Sequence, residues 1–134
     1  MSKIRILLAD DNSAILEQVT RVLEEDYEIV AAEKDGHAVV RECLRLKPDV
    51  IVLDISLGDV SGIQLARQLR DCGCYSKVIF LSVHEDYDFV NAAIGTGALA
   101  YVVKSHLSTD LLTAVKAVLA NKFFVSSSLL YVPE

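Results

Sequence analysis

Five polar side chains of this sequence stand at or just after the ends of apolar runs, where they could do chemistry together. In chain order they are Asp10, Asp11, Asp54, Ser82 and Lys104. Apolar runs separated by helical segments are typical of buried parallel strands, and an open parallel sheet binds its ligands at the carboxyl ends of its strands. We therefore expect three carboxylates, a hydroxyl and a lysine to meet in one crevice.

The charges of these side chains suit a divalent cation and a phosphoryl group. Two adjacent aspartates at a turn repel each other unless a cation lies between them, and oxygen-only ligands favour Mg²⁺ or Mn²⁺. Three carboxylates and one lysine carry a net charge of −2, which one such ion neutralises. A carboxylate such as Asp54 can be phosphorylated to an acyl phosphate. The alternative for Asp10 and Asp11 is an acidic helix N-terminus, which the helix dipole favours.

The elements that must position these side chains can be predicted from apolar patterning. The predicted strands are five runs rich in β-branched residues: 4–9, 27–32, 50–54, 78–82 and 100–104. Helical periodicity follows each run, and Pro48, Gly73 and the Gly-Thr-Gly sequence at 95–97 end three of these helices. Because parallel strands need right-handed helical crossovers, we expect a doubly wound α/β fold. Its five-stranded parallel sheet would have the strand order 2-1-3-4-5 of the (βα)5 flavodoxin-like arrangement.

Composition limits the classes of protein that the chain can be. Its 134 residues fit one domain, and a net charge of −6 argues against nucleic-acid binding by this segment, which would need excess Lys and Arg. No apolar stretch reaches the ~18–20 residues of a membrane span, and the few residues before the first run are too short for a signal peptide. The three cysteines have no zinc-site spacing and suit reduced thiols. We expect a cytoplasmic protein with no membrane partner.

The same residues lie in motifs that resemble the receiver domains of bacterial two-component response regulators, over nearly the whole chain. Residues 7–12, Leu-Leu-Ala-Asp-Asp-Asn, resemble the family's first-strand acidic motif, and residues 49–54, Asp-Val-Ile-Val-Leu-Asp, resemble its phosphoacceptor strand. Gly62 falls at the usual distance beyond, Ser82 occupies the Thr/Ser switch position, and residues 97–104 resemble the fifth-strand signature. In order and correctly spaced, these motifs are highly specific.

The resemblance implies a role for each residue of the site. Asp54 would accept a phosphoryl group from the histidine of a sensor kinase, and Lys104 would pair with that group. Asp11, Asp54 and the backbone carbonyl of Ser56 would bind Mg²⁺ directly, with Asp10 acting through water. The protein would not be an enzyme in the usual sense, because it would catalyse only its own phosphorylation and autodephosphorylation.

The resemblance also implies a conformational switch, and it suggests residues that set the phosphoryl lifetime. Ser82 and Tyr101 would form the switch: the hydroxyl moves to a phosphoryl oxygen and the aromatic ring turns inward behind it. Ser56 and His84 lie two residues beyond Asp54 and Ser82, where they could flank the water that attacks the acyl phosphate. The plainer interpretations are a turn serine, a partly buried strand tyrosine and an exposed loop histidine.

Three positions depart from the family pattern, of which Ala100, where several subfamilies have glycine, is assigned no function. Gly58 stands where proline is usual, and because glycine costs more backbone entropy to order, we expect a less constrained loop after Asp54. Ser105 replaces the usual proline after Lys104, which leaves open whether that peptide bond is cis.

The resemblance is greatest to the subfamily with a C-terminal helix-turn-helix domain (NarL/FixJ/LuxR type), from the fifth-strand signature and from Phe-Phe-Val-Ser at 123–126. We expect residues 1–121 to form the receiver domain and residues 122–134 to start a linker to an output domain absent from this chain. DNA would be bound only through that absent domain. A sensor histidine kinase and a second copy in a homodimer are the other expected partners.

Three other functions must be weighed against a working receiver. An aspartyl phosphatase or phosphotransferase would need Asp-x-Asp on its first strand, whereas residues 10–12 are Asp-Asp-Asn. A flavin-binding module needs a Ser/Thr/Gly phosphate loop there, and two aspartates would repel the phosphate. The main alternative is an inactive receiver that acts only as an interaction module, although all five chemical positions hold competent residues.

Overall fold

The apolar runs form a parallel sheet in the computed structural model, which describes residues 3–126. The strands are β1 (Arg5–Ala9), β2 (Glu28–Glu33), β3 (Val50–Asp54), β4 (Ser56–Leu57), β5 (Val60–Ser61), β6 (Lys77–Ser82), β7 (Ala100–Val103) and β8 (Phe124–Val125). The helices are α1 (Ser13–Leu23), α2 (Gly36–Leu46), α3 (Gly62–Asp71), α4 (Tyr87–Ile94) and α5 (Leu107–Leu119), with a 3₁₀ turn at Lys104–His106.

The predicted fold class and strand order are confirmed. The five predicted strands are β1, β2, β3, β6 and β7, and they pair in parallel in the order β2-β1-β3-β6-β7. Their bounds lie within one residue of the prediction. Lys104 follows β7 instead of ending it, and the Lys104–Ser105 peptide bond is trans.

A sixth parallel strand, β8, extends the sheet beyond β7. Phe124 pairs with Ala100 and Val125 pairs with Tyr101. β8 falls within residues 122–134, where we expected the start of a linker, so the chain stays on the sheet at least as far as residue 126. Residues 127–134 lie outside the described residues, and the expectation of a linker there stays a prediction.

The loop after β3 forms a second small sheet. β4 and β5 pair as an antiparallel hairpin, with Ser56 opposite Ser61. The hairpin turns through Gly58, whose φ of 63° is a left-handed conformation that only glycine adopts without strain.

Side chains of the central strands alternate between two hydrophobic cores, because successive residues of a strand point to opposite faces of the sheet. Helices α1 and α5 cover one face, where Leu8, Val52 and Leu81 are buried. Helices α2, α3 and α4 cover the other face, where Leu53 and Phe80 are buried. With both faces covered, the carboxyl ends of the strands form the open edge to which ligands have access.

Local capping sets the helix ends. Asn12 begins α1, and its side chain accepts hydrogen bonds from the amides of Ala14 and Ile15. Lys47 ends α2 in a left-handed conformation just before Pro48, as the proline predicted. Helix α4 is short, and its N-cap Asp86 makes no side-chain capping hydrogen bond. None of the helices within residues 3–126 is long and apolar enough to cross a lipid bilayer.

Candidate functional site

The carboxyl ends of β1, β3 and β7 bring two aspartates and a lysine into one ion-paired group. The Nζ atom of Lys104 lies 2.9 Å from Oδ2 of Asp10 and 3.1 Å from Oδ2 of Asp54. Both aspartates are buried, at 1% and 5% exposed, and the lysine is half-buried. Salt screens buried charges only weakly, so these three side chains act strongly on an anion bound beside them.

Asp54 is held at the end of β3 by a close approach of backbone. A Cβ atom on Gly62 would lie 2.0 Å from the carbonyl oxygen of Asp54, so no other residue fits at the start of α3. The amide of Gly62 also donates to the carbonyl of Ile55. This close approach is the physical reason for a glycine at the spacing of Gly62 from Asp54.

The Asp54 carboxyl is an unusually weak acid for an aspartate. Burial is the largest cause of a pKa raised to about 6, and the negative charge of Asp10 adds to it. The amide of Ser56, which donates to Oδ1 at 3.1 Å, and the ammonium of Lys104 act in the opposite direction. The carboxylate is thus ionised at neutral pH while remaining poorly solvated, which suits a nucleophile.

Lys104 is held as a cation. Burial alone would lower its pKa, but the carboxylates of Asp10 and Asp54 outweigh burial, and the pKa of the ammonium is raised. It therefore carries a full positive charge at the floor of the site. A phosphoryl oxygen arriving beside Asp54 would meet that charge directly.

The two carboxylate oxygens of Asp10 could accept more hydrogen bonds than the described residues donate to them. Its Oδ1 accepts from the amide of Asn12 at 2.9 Å. Its Oδ2 forms the ion pair with Lys104 and, apart from that ammonium, has no partner in the described part of the chain. A buried carboxylate oxygen with one ionic partner has room for a further ligand, a cation or its water.

Carboxylate oxygens of Asp10, Asp11 and Asp54 lie within 4.8 Å of one another, the first and last buried and Asp11 exposed. Oxygen donors around one point, open to solvent on one side, suit Mg²⁺ or Mn²⁺ with some water retained. The residues present therefore fit the expected ion. The role of the Ser56 carbonyl as a further ligand stays a prediction, since the contact that Ser56 shows is through its amide.

Ser82 and Tyr101 meet at the backbone of His84. The Ser82 hydroxyl accepts from the His84 amide at 2.9 Å, and the Tyr101 hydroxyl donates to the His84 carbonyl at 2.8 Å. Tyr101 lies in β7 with no exposed surface, so its ring already faces inward in this structure and the expected inward turn stays a prediction. Burial is the largest cause of a raised pKa at Tyr101, which keeps its hydroxyl a donor.

The His84 side chain packs against α4. Its ring stacks on Phe89 of α4, with centroids 4.1 Å apart and planes within 5°. Its influence on the phosphoryl lifetime, like that of Ser56, stays a prediction. The structure assigns it a different part, because its peptide groups join Ser82 and Tyr101 and its ring joins that turn to α4.

Two residues with no predicted role in the site contact this region. The backbone amide of Asn12 donates to Oδ1 of Asp10 in a turn that the Asp10 side chain forms, so the signal for this contact is the aspartate two residues earlier. Ser126 is buried and hydrogen-bonded to β7. No local pattern distinguishes Ser126 from the serines beside it.

Comparison with known proteins places this geometry in a family. Residues 6–116 match the family model described as the response regulator receiver domain. The chain is 36% identical over 119 residues to the transcriptional regulatory protein DegU of Brevibacillus brevis, covering 87% of this chain and 50% of that protein. It is 33% identical over 120 residues to the transcriptional regulatory protein LiaR of Bacillus subtilis, covering 85% and 55%. The chain thus spans about half the length of these curated relatives.

The fold is likewise similar to solved receivers. A two-component response regulator of the LuxR family from an Aurantimonas species superposes with a TM-score of 0.89 at 29% identity, over 96% of this chain and 93% of that one.

Proposed function

Because the chain belongs to the response regulator receiver domain family, we propose that Asp54 accepts a phosphoryl group from a sensor histidine kinase and that this controls an output, most simply transcription. The observation that carries the proposal is the buried Asp10–Lys104–Asp54 ion-paired group with Asp11 beside it. An interaction module without phosphoryl chemistry would have no use for charges that are costly to bury.

The transfer itself needs little from the protein beyond position and charge. An oxygen of the Asp54 carboxylate attacks phosphorus, a P–O bond forms and the P–N bond of the kinase phosphohistidine breaks. The electron pair leaves with the imidazole, which takes its proton from solvent. Lys104 is placed to hold one phosphoryl oxygen as the bond forms, because its Nζ already lies 3.1 Å from Asp54.

Asp11 and Asp54 would hold a divalent cation directly at this site, with the Ser56 carbonyl as the expected third protein ligand and Asp10 acting through water. When bound, such an ion neutralises the carboxylates and the incoming phosphoryl oxygens. Hydrolysis of the acyl phosphate by water then returns Asp54 to its unphosphorylated state. The protein thus catalyses only its own phosphorylation and dephosphorylation.

Ser82 can report the phosphoryl group without losing the contact that it already makes. Its oxygen accepts from the His84 amide, and its hydroxyl can also donate its own proton to a phosphoryl oxygen. The Ser82 and Tyr101 hydroxyls bond the two peptide groups on either side of the His84 Cα, so a shift of Ser82 can reach Tyr101 through one residue of backbone. We infer that the switch passes from Asp54 through Ser82 and His84 to Tyr101 and to α4.

The curated relatives indicate the output. DegU and LiaR are transcriptional regulatory proteins of which this chain spans about half, and the solved neighbour is of the LuxR family. We propose that the receiver acts within, or together with, a helix-turn-helix output domain that binds DNA. A homodimer formed through the α4–β7 face is the expected active assembly.

Intact-mass spectrometry after incubation with acetyl phosphate tests the proposal. We expect one added phosphoryl group that depends on Mg²⁺ and is absent in Asp54→Asn. The matched control is Asp59→Asn, which removes an exposed carboxylate from the β4–β5 turn. No mass gain in the wild-type protein under any condition would instead support the inactive interaction module.

A further inference from the structure

A buried serine just past β8 is hydrogen-bonded to the strand that carries Tyr101 and leads to Lys104. Ser126 has no exposed surface. Its amide donates to the carbonyl of Tyr101 at 3.0 Å, and its Oγ accepts from the amide of Val103 at 3.0 Å. One residue thus holds β7 at two points along its length.

The hydroxyl of Ser126 accepts a main-chain hydrogen bond from β7 at the point where β8 ends. In a parallel pair, every second residue of a strand turns its amide and carbonyl toward the same neighbour, so Tyr101 and Val103 both face β8. The Val103 amide is the last of these groups, and it is paired by a side chain rather than by a strand carbonyl. Because Val103 is 2% exposed, water would not readily replace that hydroxyl.

The position of Val103 matters because Lys104 comes next. The Lys104 side chain leaves the main chain directly after the anchored peptide and reaches Asp10 and Asp54 at 2.9 and 3.1 Å. Phosphoryl transfer depends on the placement of such a charge to within a fraction of an ångström. A change in the direction of the main chain at Val103 would therefore displace the Lys104 ammonium from Asp10 and Asp54.

We propose that Ser126 is a positioning residue for the phosphoryl-transfer site: its hydroxyl fixes Val103 and, through it, the start of the Lys104 side chain. The inference rests on the proposed function of Asp54 and Lys104. Coupling of this kind is reciprocal, so phosphorylation at Asp54 also changes how firmly Ser126, and the chain that continues from it, is held against β7. The segment that we expect to lead toward an output domain is thereby energetically coupled to Lys104, which pairs with the phosphoryl group.

Two variants of nearly equal shape isolate the hydroxyl. Ser126→Thr keeps the hydrogen-bond acceptor and Ser126→Val lacks it, so any steric cost of the added methyl group is shared. Ser126→Ala removes the hydroxyl without adding volume. Val125→Ala is the control for a weakened β8, because it leaves the Ser126 hydroxyl in place.

The first readout is the rate at which the 134-residue chain is phosphorylated by acetyl phosphate with Mg²⁺, corrected for the folded fraction. We expect Ser126→Ala and Ser126→Val to slow phosphorylation about tenfold, less than the ~100-fold that a 1 Å misplacement can cost. Ser126→Thr and Val125→Ala should stay within about threefold of the wild type. Equal rates for Ser126→Thr and Ser126→Val, or an unchanged rate for Ser126→Ala, would overturn the inference.

The second readout needs no phosphorylation. In ¹⁵N NMR spectra, the Val103 amide should exchange faster with solvent in Ser126→Val and Ser126→Ala than in Ser126→Thr, and the Lys104 amide signal should shift in the first two only. Absence of this pattern overturns the inference whatever the phosphorylation result. Presence of the pattern in a chain that acetyl phosphate does not phosphorylate would sink the proposed function and leave the anchoring of Lys104 supported.

Discussion

Tyr101 and His84 are joined by a hydrogen bond of 2.8 Å from the buried phenol hydroxyl to the backbone carbonyl of His84. The amide of the same residue donates to Ser82. The His84 backbone is therefore held from two strands at once, by the two residues that we expect to form the switch. We expect a movement of Ser82 toward Asp54 to reach Tyr101 through these two hydrogen bonds and the single residue of backbone between them.

Tyr101→Phe should loosen this turn without disturbing the core. Phenylalanine keeps the buried ring and removes only the donor, so we expect unfolding free energy to fall by about 1 kcal/mol. Amide hydrogen exchange at residues 83–86 should become faster, measured by mass spectrometry alongside urea denaturation. Tyr75→Phe, at a side chain that is 94% exposed, is the control and should change neither quantity. Unchanged exchange at residues 83–86 in Tyr101→Phe would count against the turn being held by this bond.

Asp54→Asn should stabilise the Mg²⁺-free protein at neutral pH. The folded-state pKa of Asp54 is raised to about 6, whereas an unfolded aspartate titrates near 4. The folded protein therefore binds the extra proton between these values, so stability falls as pH rises through that window and is lowest above it. Asparagine avoids the buried charge and should gain about 3 kcal/mol at most at pH 7–8, measured by urea denaturation in EDTA.

The same comparison at low pH provides the check on Asp54. Below about pH 4 the carboxyl is neutral in both states, so the advantage of Asp54→Asn should shrink toward zero. Glu25→Gln at the exposed turn after α1 serves as the control for losing one negative charge. A constant difference between wild type and Asp54→Asn from pH 4 to pH 8 would show that burial of the charge is not its cause.

Gly62→Ala should displace the end of β3. The added Cβ would lie 2.0 Å from the Asp54 carbonyl oxygen, and the neighbour is backbone that cannot rotate away. We expect a loss of about 3 kcal/mol or more in unfolding free energy, and weaker binding of Mg²⁺ in the fraction that folds. Gly58→Ala in the same loop is the comparison: its Cβ would meet nothing within 4 Å, so only the backbone strain of about 1–2 kcal/mol should appear. Equal losses in the two variants would mean that the close approach to Asp54 is relieved elsewhere.

Much of the fold could be predicted from local sequence patterns such as apolar runs and prolines. β3 is a continuous apolar run with both faces buried, so its bounds could be read directly, and α2 ends at Lys47 because Pro48 cannot follow in a helix. β8 could not be predicted, because two residues have no periodicity. Its pairing depends on main-chain groups of β7 that become available only once the sheet exists.

Some features of the site could likewise be predicted from the sequence, and others could not. Asp10, Asp54 and Lys104 come together because each lies at the carboxyl end of a parallel strand, and topology alone brings those ends to one edge. The bond from Tyr101 to the carbonyl of His84 depends on the path of an irregular turn, which residue types do not specify. The predicted roles of Ser56 and His84 in the phosphoryl lifetime depend on a water that only kinetics can reveal.

Lys104→Met should affect Mg²⁺ binding and phosphorylation in opposite directions. The ammonium lies against Asp10 and Asp54 and competes with any cation for the same carboxylates. Its removal takes the group of three aspartates and a lysine from a net charge of −2 to −3, so Mg²⁺ should bind roughly tenfold more tightly by isothermal titration calorimetry. Phosphorylation by acetyl phosphate should nevertheless be slower by about 100-fold, because a phosphoryl oxygen loses its positive partner in the transition state. Lys116→Met on the exposed side of α5 is the charge-matched control. If Lys104→Met weakened Mg²⁺ binding, Lys104 would be organising the carboxylates rather than competing for them.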